Sequence, residues 1–261
     1  MPILTRHDSG AVAYLEMNAP KRLNALSDAM LEALFAELSR LEQDNNIRSV
    51  VLSGVGKAFC AGHDLNEMTG KRQAEDGGAS YFADLFLRCA TVMKKIRGLP
   101  QPVIAQVHGV ATAAGCELVA SCDLAVAARG TRFGVNGVDV GLFCSTPMVP
   151  VTRNIPRKIA FEMLTTGNFL DASRAAELGL INRVVPMEQL AGETSQIAET
   201  IAAKLGSAVK IGKRAFYEQI QLPIDQAYAF SGKVIVENML NRDTEEGIAA
   251  FLEKRDPDWS Q

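Results

Sequence analysis

Apolar residues follow two different spacings along the chain, and its first part alternates between them. Four runs have the length and residue types of β-strands, namely residues 10–17, 48–52, 102–107 and 124–128. Segments between these runs repeat apolar residues at helical spacing, as in the helix that Ser27 caps, with its row of Leu31, Leu34, Phe35, Leu38 and Leu41. Strands that alternate with helices of this length predict crossover connections and an α/β core.

Two further helices are predicted within this core. Residues 81–97 carry Leu85, Val92 and Ile96 on one face, and residues 112–122 are long enough for a short helix. Ahead of the first helix, the polar and glycine-containing insert of residues 69–80 predicts a mobile loop.

The last third of the chain is predicted to be helical. The helical segments are residues 156–166, 172–178, 187–205, 207–219, 223–240 and 243–254. The change in composition near residues 186–200 is gradual, and no linker or repeat interrupts it. We therefore expect a core of residues 1–190 and a C-terminal helical region of residues 191–261 that is not an independent domain.

Composition and charge exclude some classes of function. The 261 residues, 48% of them hydrophobic, suffice for a large core. A net charge of -3, with basic residues spread along the chain, disfavours nucleic acid as a partner. The basic face formed by Lys210, Lys213 and Arg214 is interpreted as a solvated helix surface. No apolar run reaches the roughly 20 residues of a membrane-spanning helix, so no membrane role is expected.

The cysteines and the N-terminal residues predict the cellular compartment. The cysteines lie in apolar surroundings without metal-binding spacing, at Cys60, Cys89, Cys116, Cys122 and Cys144. We expect buried, reduced thiols and no metal site. The first residues enter a strand pattern without a targeting segment, which predicts a cytoplasmic protein.

Two turns rich in small residues carry the candidate chemistry. One is Phe59-Cys-Ala-Gly-His-Asp64, and the other runs from His108 to Glu117. Each follows a predicted strand, so each is able to aim one backbone N–H at a shared carbonyl oxygen, as an oxyanion hole does. Glu117 is the one acid in the apolar run from Gly109 to Cys122. Burial there would raise its pKa and suit acid/base catalysis, although a structural carboxylate held by backbone hydrogen bonds is the alternative.

These segments, in this order, resemble the crotonase superfamily, also called the enoyl-CoA hydratase/isomerase family. The resemblance spans nearly the whole chain and depends on residues 20–26, 57–65, 108–123, 178–185 and 250–255. It implies a spiral core of ββα units and C-terminal helices that form homotrimers, usually paired into hexamers as dimers of trimers. It also implies a coenzyme A thioester as substrate, and we expect no metal or redox cofactor.

Residue by residue, the resemblance implies a complete site for this thioester. The backbone N–H groups of His63 and Ala114 would bind the thioester carbonyl, and Glu117 would act as acid/base on the acyl chain. Substrate and coenzyme A contacts would come from Lys21, Arg22, Ala61, His63, Asp64, Leu65, Ala114, Phe251 and Lys254, with Lys254 supplied by a neighbouring subunit. Asp64 is interpreted first as a turn-stabilising residue, with substrate contact as the alternative. The His63 side chain is interpreted as a flank of the pantetheine arm.

The second glutamate of family hydratases is missing from this chain. Its place falls at Gly137 in Phe133-Gly-Val-Asn-Gly137, and a standard hydration with two carboxylates cannot operate there. Asp139 would share the face of the missing acid if the segment is extended, although a capping or solvated aspartate is the alternative. The run from Val138 to Pro147 is similar to a subgroup called enoyl-CoA hydratase domain-containing protein 3.

Several functions therefore stay open. The first is an enoyl-CoA hydratase-like lyase that uses Glu117, and the second is a homologue that binds acyl-CoA without turnover. Isomerisation, decarboxylation and thioester hydrolysis are further possibilities, the last with Cys144 and His108 as a nucleophile and its base.

Overall fold

A computed structural model describes residues 1–259 of the chain. Its strands are β1 Leu4–Ser9, β2 Val12–Met17, β3 Ser49–Gly54, β4 Val103–Val107, β5 Val110–Thr112, β6 Leu124–Ala128, β7 Arg132–Gly134, β8 Leu170–Asp171 and β9 Arg183–Val185. Its α-helices are α1 Asp28–Glu42, α2 Leu65–Lys71, α3 Ala79–Gly98, α4 Ala114–Ser121, α5 Met148–Asn154, α6 Arg157–Thr166, α7 Ala172–Glu177, α8 Leu190–Ala202, α9 Gly206–Gln219, α10 Ile224–Met239 and α11 Arg242–Glu253. None of the described helices is both long and apolar enough to cross a membrane.

A six-stranded sheet forms the centre of the fold, with the strand order β1-β2-β3-β4-β6-β9. Strands β1 and β2 are an antiparallel pair, and every later neighbour is parallel. The register places Leu15 opposite Leu52 and Leu52 opposite Ala105. This row of buried apolar residues on parallel strands is the pattern of a sheet covered on both faces. The α/β core predicted from the sequence is confirmed.

Helices cover both faces of this sheet. Helices α1 and α3 contribute leucines and Ile96 to the main apolar core. On the other face, Ala198 and Ala202 of α8 pack with Val51 and Ile104. Helix α8 thus belongs to the core layers, although the predicted C-terminal region begins at residue 191. The last two residues of that region, 260 and 261, lie outside the described residues.

A smaller sheet with the strand order β5-β7-β8 stands beside the first one. Residue Phe133 of β7 pairs with Ala111 and with Leu170, which links the chain before α4 to the chain after α6. Strands β8 and β9 lie between the helices predicted for the last third of the chain, and the sequence analysis did not predict them. They have two and three residues, which is too short to show an alternating pattern.

Most predicted helices are confirmed. The placement of Phe35 on the buried face and the loop predicted for residues 69–80 differ from the structure. Ser27 accepts a hydrogen bond from the Met30 N–H as the N-cap of α1. Phe35 of the same helix is 43% exposed, because it lies at the edge of the buried row of leucines. The insert of residues 69–80 is only partly a loop, since α2 extends through Lys71 and α3 begins at Ala79.

Lys213 is buried, so the interpretation of residues 210–214 as a fully solvated basic face is wrong. Its ammonium group lies 2.7 Å from Asp123 Oδ2 and also donates to the carbonyls of Ile96 and Gln101. The Tyr217 hydroxyl donates to the other oxygen of Asp123 at 2.8 Å. Burial lowers the pKa of Lys213, whereas Asp123 opposes this shift. This ion pair connects α9 to the sheet.

We expect Lys213→Met to lower the free energy of unfolding by about 3 kcal/mol, because it leaves the half-buried Asp123 carboxylate without its ion-pair partner. Chemical denaturation followed by circular dichroism measures the change. Lys210→Met, an exposed position on the same helix, should shift stability by less than about 0.5 kcal/mol. Equal effects of the two substitutions would contradict a structural role for the ion pair.

Candidate active site

The two small-residue turns are in backbone contact. The Cys60 N–H donates to Val110 O at 3.2 Å, and the Thr112 N–H donates to Cys60 O at 3.1 Å. A Cβ atom on Gly115 would collide with the Cys60 carbonyl, so only glycine permits this approach. The contact brings the end of the first turn beside the start of α4.

Ala113 sets the direction in which α4 begins. Its φ of 50° and ψ of -120° form a conformation that glycine adopts readily and alanine rarely. Its N–H donates to Gly134 O at 2.9 Å, which ties the strained residue to β7. Strain of this kind costs about 1–3 kcal/mol and persists only where the surrounding structure enforces it.

The backbone N–H groups of His63 and Ala114 have no acceptor among the described residues. Ala114 is the first residue of α4, where an N–H has no partner within the helix. Both residues line one cavity of about 360 Å³. Two unpaired donors on one cavity wall form an arrangement that is able to bind an oxygen atom.

The cavity wall is mainly apolar and contains four of the nine predicted contact residues. Ala61, His63, Leu65 and Ala114 line it, together with Met68, Phe86, Val140, Leu142, Phe143 and Pro147. Asp64 does not line it. Its buried carboxylate accepts from the N–H groups of Asn66 and Glu67 as the N-cap of α2 and binds Arg22 at 2.7 Å. The structure therefore gives Asp64 the turn-stabilising role that the sequence favours for it.

Glu117 lies in the first turn of α4 and is 3% exposed. Burial raises the pKa of its carboxyl to about 7, although a hydrogen bond from the Thr146 hydroxyl opposes the shift. That hydroxyl lies 3.4 Å from Oε2. Glu117 lines an adjoining cavity of about 420 Å³, and Thr146 lines both cavities. The carboxyl is thus next to the wall that the two cavities share.

Gly137 stands where the sequence resemblance places a second glutamate. A Cβ atom there would come 2.5 Å from Leu142 O and 2.9 Å from Cys144 Sγ. The Gly137 N–H also donates to Cys144 Sγ at 3.3 Å. The missing carboxylate therefore leaves no vacant space, because the next loop of the chain fills the position.

Asp139 is not in the extended conformation expected for it, because residues 137–140 form a 3₁₀ turn. Its Oδ2 accepts from Asn136 Nδ2 at 3.2 Å, and its Oδ1 faces Gly167. The carboxylate is absent from the walls of the described cavities that adjoin Glu117. The expectation that Asp139 shares the face of the missing acid is wrong for this conformation.

The other predicted residues lie farther from this cavity. Lys21 is exposed, and Phe251 and Lys254 are exposed at the end of α11. His108 bonds to the Gly56 carbonyl at 2.9 Å and is absent from the cavity wall, whereas the buried thiol of Cys144 lines it. The structure does not bring Cys144 and His108 together as a nucleophile and its base. Burial raises the pKa of the Cys144 thiol.

Sequence reasoning missed Thr146 and Phe86, which lie on the cavity wall. Thr146 lies in the run from Val138 to Pro147, but its partner Glu117 is 29 positions away and nothing in that run marks the contact. Phe86 follows Leu85 in α3, and its edge contacts His63 with ring centroids 5.5 Å apart. Among residues 1–259, no cluster of His, Cys, Asp and Glu has an arrangement that could hold a metal ion.

Comparison with known proteins identifies relatives along the whole chain. A rat protein named enoyl-CoA hydratase domain-containing protein 3, mitochondrial, is 43% identical over 256 residues, which cover 98% of this chain and 83% of that protein. The crystal structure of an enoyl-CoA hydratase from Mycobacterium smegmatis has a TM-score of 0.95 and 51% identity, and the match covers 100% of both chains. That of the human domain-containing protein 3 has a TM-score of 0.94 and 42% identity over 98% of this chain and 100% of that one.

These comparisons confirm the sequence resemblance, including the predicted subgroup, and overturn one expectation. The rat, mouse and human relatives are mitochondrial by name, so the prediction of a cytoplasmic protein is wrong. The fold of the chain is the crotonase fold, as the resemblance implied. A family model described as enoyl-CoA hydratase/isomerase matches residues 7–261, and the chain belongs to that family.

Proposed function

We propose that the protein is an acyl-CoA thioester enzyme of the enoyl-CoA hydratase-like type. The observation that supports this most directly is the pair of unpaired N–H groups, of His63 and Ala114, on the wall of one apolar cavity. Next to that cavity lies Glu117, a buried carboxyl with a pKa of about 7. Thioester enolate chemistry has two requirements. It needs hydrogen-bond donors for the carbonyl oxygen, and it needs a group that is able to exchange a proton at neutral pH.

The two N–H groups act on the thioester carbonyl. When a proton or group leaves or joins the acyl chain, negative charge develops on the carbonyl oxygen. Fixed backbone donors in a cavity with little water stabilise this charge, and one such donor contributes on the order of 10²–10³ in rate. The N-terminus of α4 adds its positive end at Ala114. Both donors belong to the backbone, so alanine supplies one of them as well as glycine would.

Glu117 supplies the proton transfer. A carboxyl with a pKa near 7 is populated in both protonation states around neutral pH, which suits a group that acts as acid and base in one cycle. With Gly137 closed to any side chain, one carboxyl would serve every proton transfer. In hydration, Glu117 would take a proton from water as the oxygen adds to the β-carbon, and would return a proton to the α-carbon. No metal or redox cofactor takes part in this scheme.

Other reactions of the same site are isomerisation, decarboxylation and thioester hydrolysis. Each needs the two N–H donors, and at most one proton is exchanged at a time. The second candidate function is acyl-CoA binding without turnover, which is favoured by the closed position at Gly137.

Coenzyme A binding would use charged residues outside the cavity wall. Arg22 is held by Asp64 in the turn that leads into α2, and Lys21 next to it is exposed. Cations at these positions would bind the phosphates of the nucleotide end. Phe251 and Lys254 would reach the same nucleotide from a neighbouring subunit.

A homotrimer, paired into a hexamer, is the assembly that we propose. Helix α10 carries a row of exposed apolar side chains, Ile224, Tyr228, Ile235, Val236 and Met239. Leu240 and Phe251, which follow it, are 83% and 81% exposed. Several large apolar side chains exposed together on one helix are typical of a subunit interface.

We expect Glu117→Gln to lower turnover by about 100-fold or more, because the amide cannot exchange the proton. The assay is mass analysis of products from a panel of enoyl-, β-hydroxyacyl- and malonyl-type CoA esters. Glu188→Gln, on the exposed surface, is the matched control. If wild type and variant convert nothing yet bind the esters, the binding-only function replaces the catalytic one.

Asp139→Asn in the same panel should retain turnover within about twofold, and a large loss of turnover would restore Asp139 as a candidate acid.

Stability should depend on pH through Glu117. Because folding raises its pKa from 4.5 to about 7, the folded state holds more protons than the unfolded state between these values. The free energy of unfolding therefore falls as pH rises through this window. Because glutamine does not titrate, the free energy of unfolding of Glu117→Gln should rise relative to that of wild type by up to about 3 kcal/mol between pH 4 and pH 8. Denaturant titrations at both pH values measure the gain, and a constant difference would contradict the raised pKa.

We expect light scattering to give the mass of a trimer or hexamer for the wild-type protein. Ile235→Glu should shift it to the monomer mass, because it places a charge within the apolar row of α10. Gln226→Glu adds the same charge at an exposed polar position of that helix and should leave the mass unchanged. A monomeric wild type would refute the proposed assembly.

A further inference from the structure

The ring of His63 has an unused hydrogen-bonding atom. Its Nε2 is buried and makes no hydrogen bond with any described residue. The residue lies on the wall of the cavity that contains the two N–H donors, with the edge of Phe86 against its ring. A buried polar atom without a partner is rare in folded proteins and calls for a physical explanation.

The contacts of the ring determine what Nε2 can do. Nδ1 lies 3.4 Å from the Leu26 carbonyl, which can only accept, so Nδ1 carries the hydrogen. Burial lowers the pKa of His63, and of the two charged groups that face it Arg88 lowers the pKa further while Asp28 raises it. Arg88 and Asp28 pair with each other at 2.7 Å. The lowered pKa favours the neutral ring, in which Nε2 is the acceptor because Nδ1 carries the hydrogen.

The other polar side chains on this wall already have partners. Thr112 donates to Asn136, and Asn136 donates to Asp139. Ser145 donates to the Phe143 carbonyl, and Thr146 donates to Glu117. Among the side chains of the residues that line the described cavity, Nε2 of His63 is thus the buried acceptor that makes no hydrogen bond.

We propose that Nε2 of His63 accepts a hydrogen bond from an O–H or N–H group of the bound thioester and so selects among substrates. This inference rests on the proposed function, because the backbone N–H of the same residue would bind the thioester carbonyl. The donor must therefore lie within the length of one side chain from that carbonyl. Two parts of an acyl-CoA meet this condition, a hydroxyl on the acyl chain and the pantetheine amide nearest the sulfur.

A thioester without such a donor would displace water from the cavity and leave Nε2 unpaired. Sites built to pair a substrate hydroxyl reject analogues that lack it, because the buried acceptor is then left without a partner. We expect wild-type protein to favour the donor-bearing member of a matched pair by about tenfold or more.

The experiment measures dissociation constants of unreactive, saturated thioesters, so turnover is not required. One pair compares butyryl-CoA with its hydroxyl-substituted forms. The second pair compares the butyryl thioester of N-acetylcysteamine with an alkyl thioester of equal length that lacks the amide. Each ratio is measured in wild type, in His63→Phe, which removes the acceptor, and in His63→Gln, whose side-chain oxygen restores one. His7→Phe, on exposed β1, is the matched control.

We expect the preference to disappear in His63→Phe and to return at least partly in His63→Gln. If His63→Phe loses the preference within the first pair, an acyl hydroxyl is the donor. If it loses the preference within the second pair, the pantetheine amide is the donor. If wild type binds the esters but His63→Phe keeps both ratios, the inference fails while the proposed function stands. If wild type binds no thioester, the proposed function itself fails. Thermal unfolding checks each variant, and His63→Leu serves if His63→Phe does not fold.

Discussion

The site depends on the close contact between two pieces of backbone, at Cys60 and Gly115. The Cys60 carbonyl occupies the space in which any side chain at position 115 would lie. This contact fixes the distance between the turn that ends at Asp64 and the start of α4. The unpaired N–H groups of His63 and Ala114, and Glu117 one turn farther along α4, all take their positions from it. A methyl group at position 115 would thus disturb several functional groups at once.

Much of this arrangement could be predicted from local sequence. The strand that precedes each turn, the small residues within the turns and the single acid at Glu117 are features of short segments. The same holds for Gly137, since the absence of a side chain is visible in the sequence itself. The motifs of the family added the order in which these segments meet, and the structure brings His63 and Ala114 to one cavity as they implied.

The remaining features depend on contacts between distant segments. Lys213 looked like a surface lysine because its partner Asp123 lies 90 positions away on the sheet. The conformation of Asp139 follows from the 3₁₀ turn at residues 137–140, which ends at Gly141 in the left-handed region. The free acceptor on His63 exists because the Leu26 carbonyl faces the other ring nitrogen. A pattern within a short segment does not reveal contacts with residues that are far away in the sequence.

Ala113 gives the site a property that a glycine in its place would not. Its φ of 50° is held by packing and by the hydrogen bond to Gly134, so the direction of the Ala114 N–H is set when the chain folds. Alanine is strained in this conformation, so the packing and the hydrogen bond to Gly134 must hold it against its tendency to relax. The donor should need little reorganisation energy when charge appears on a bound oxygen, because the strain has already been absorbed by the fold.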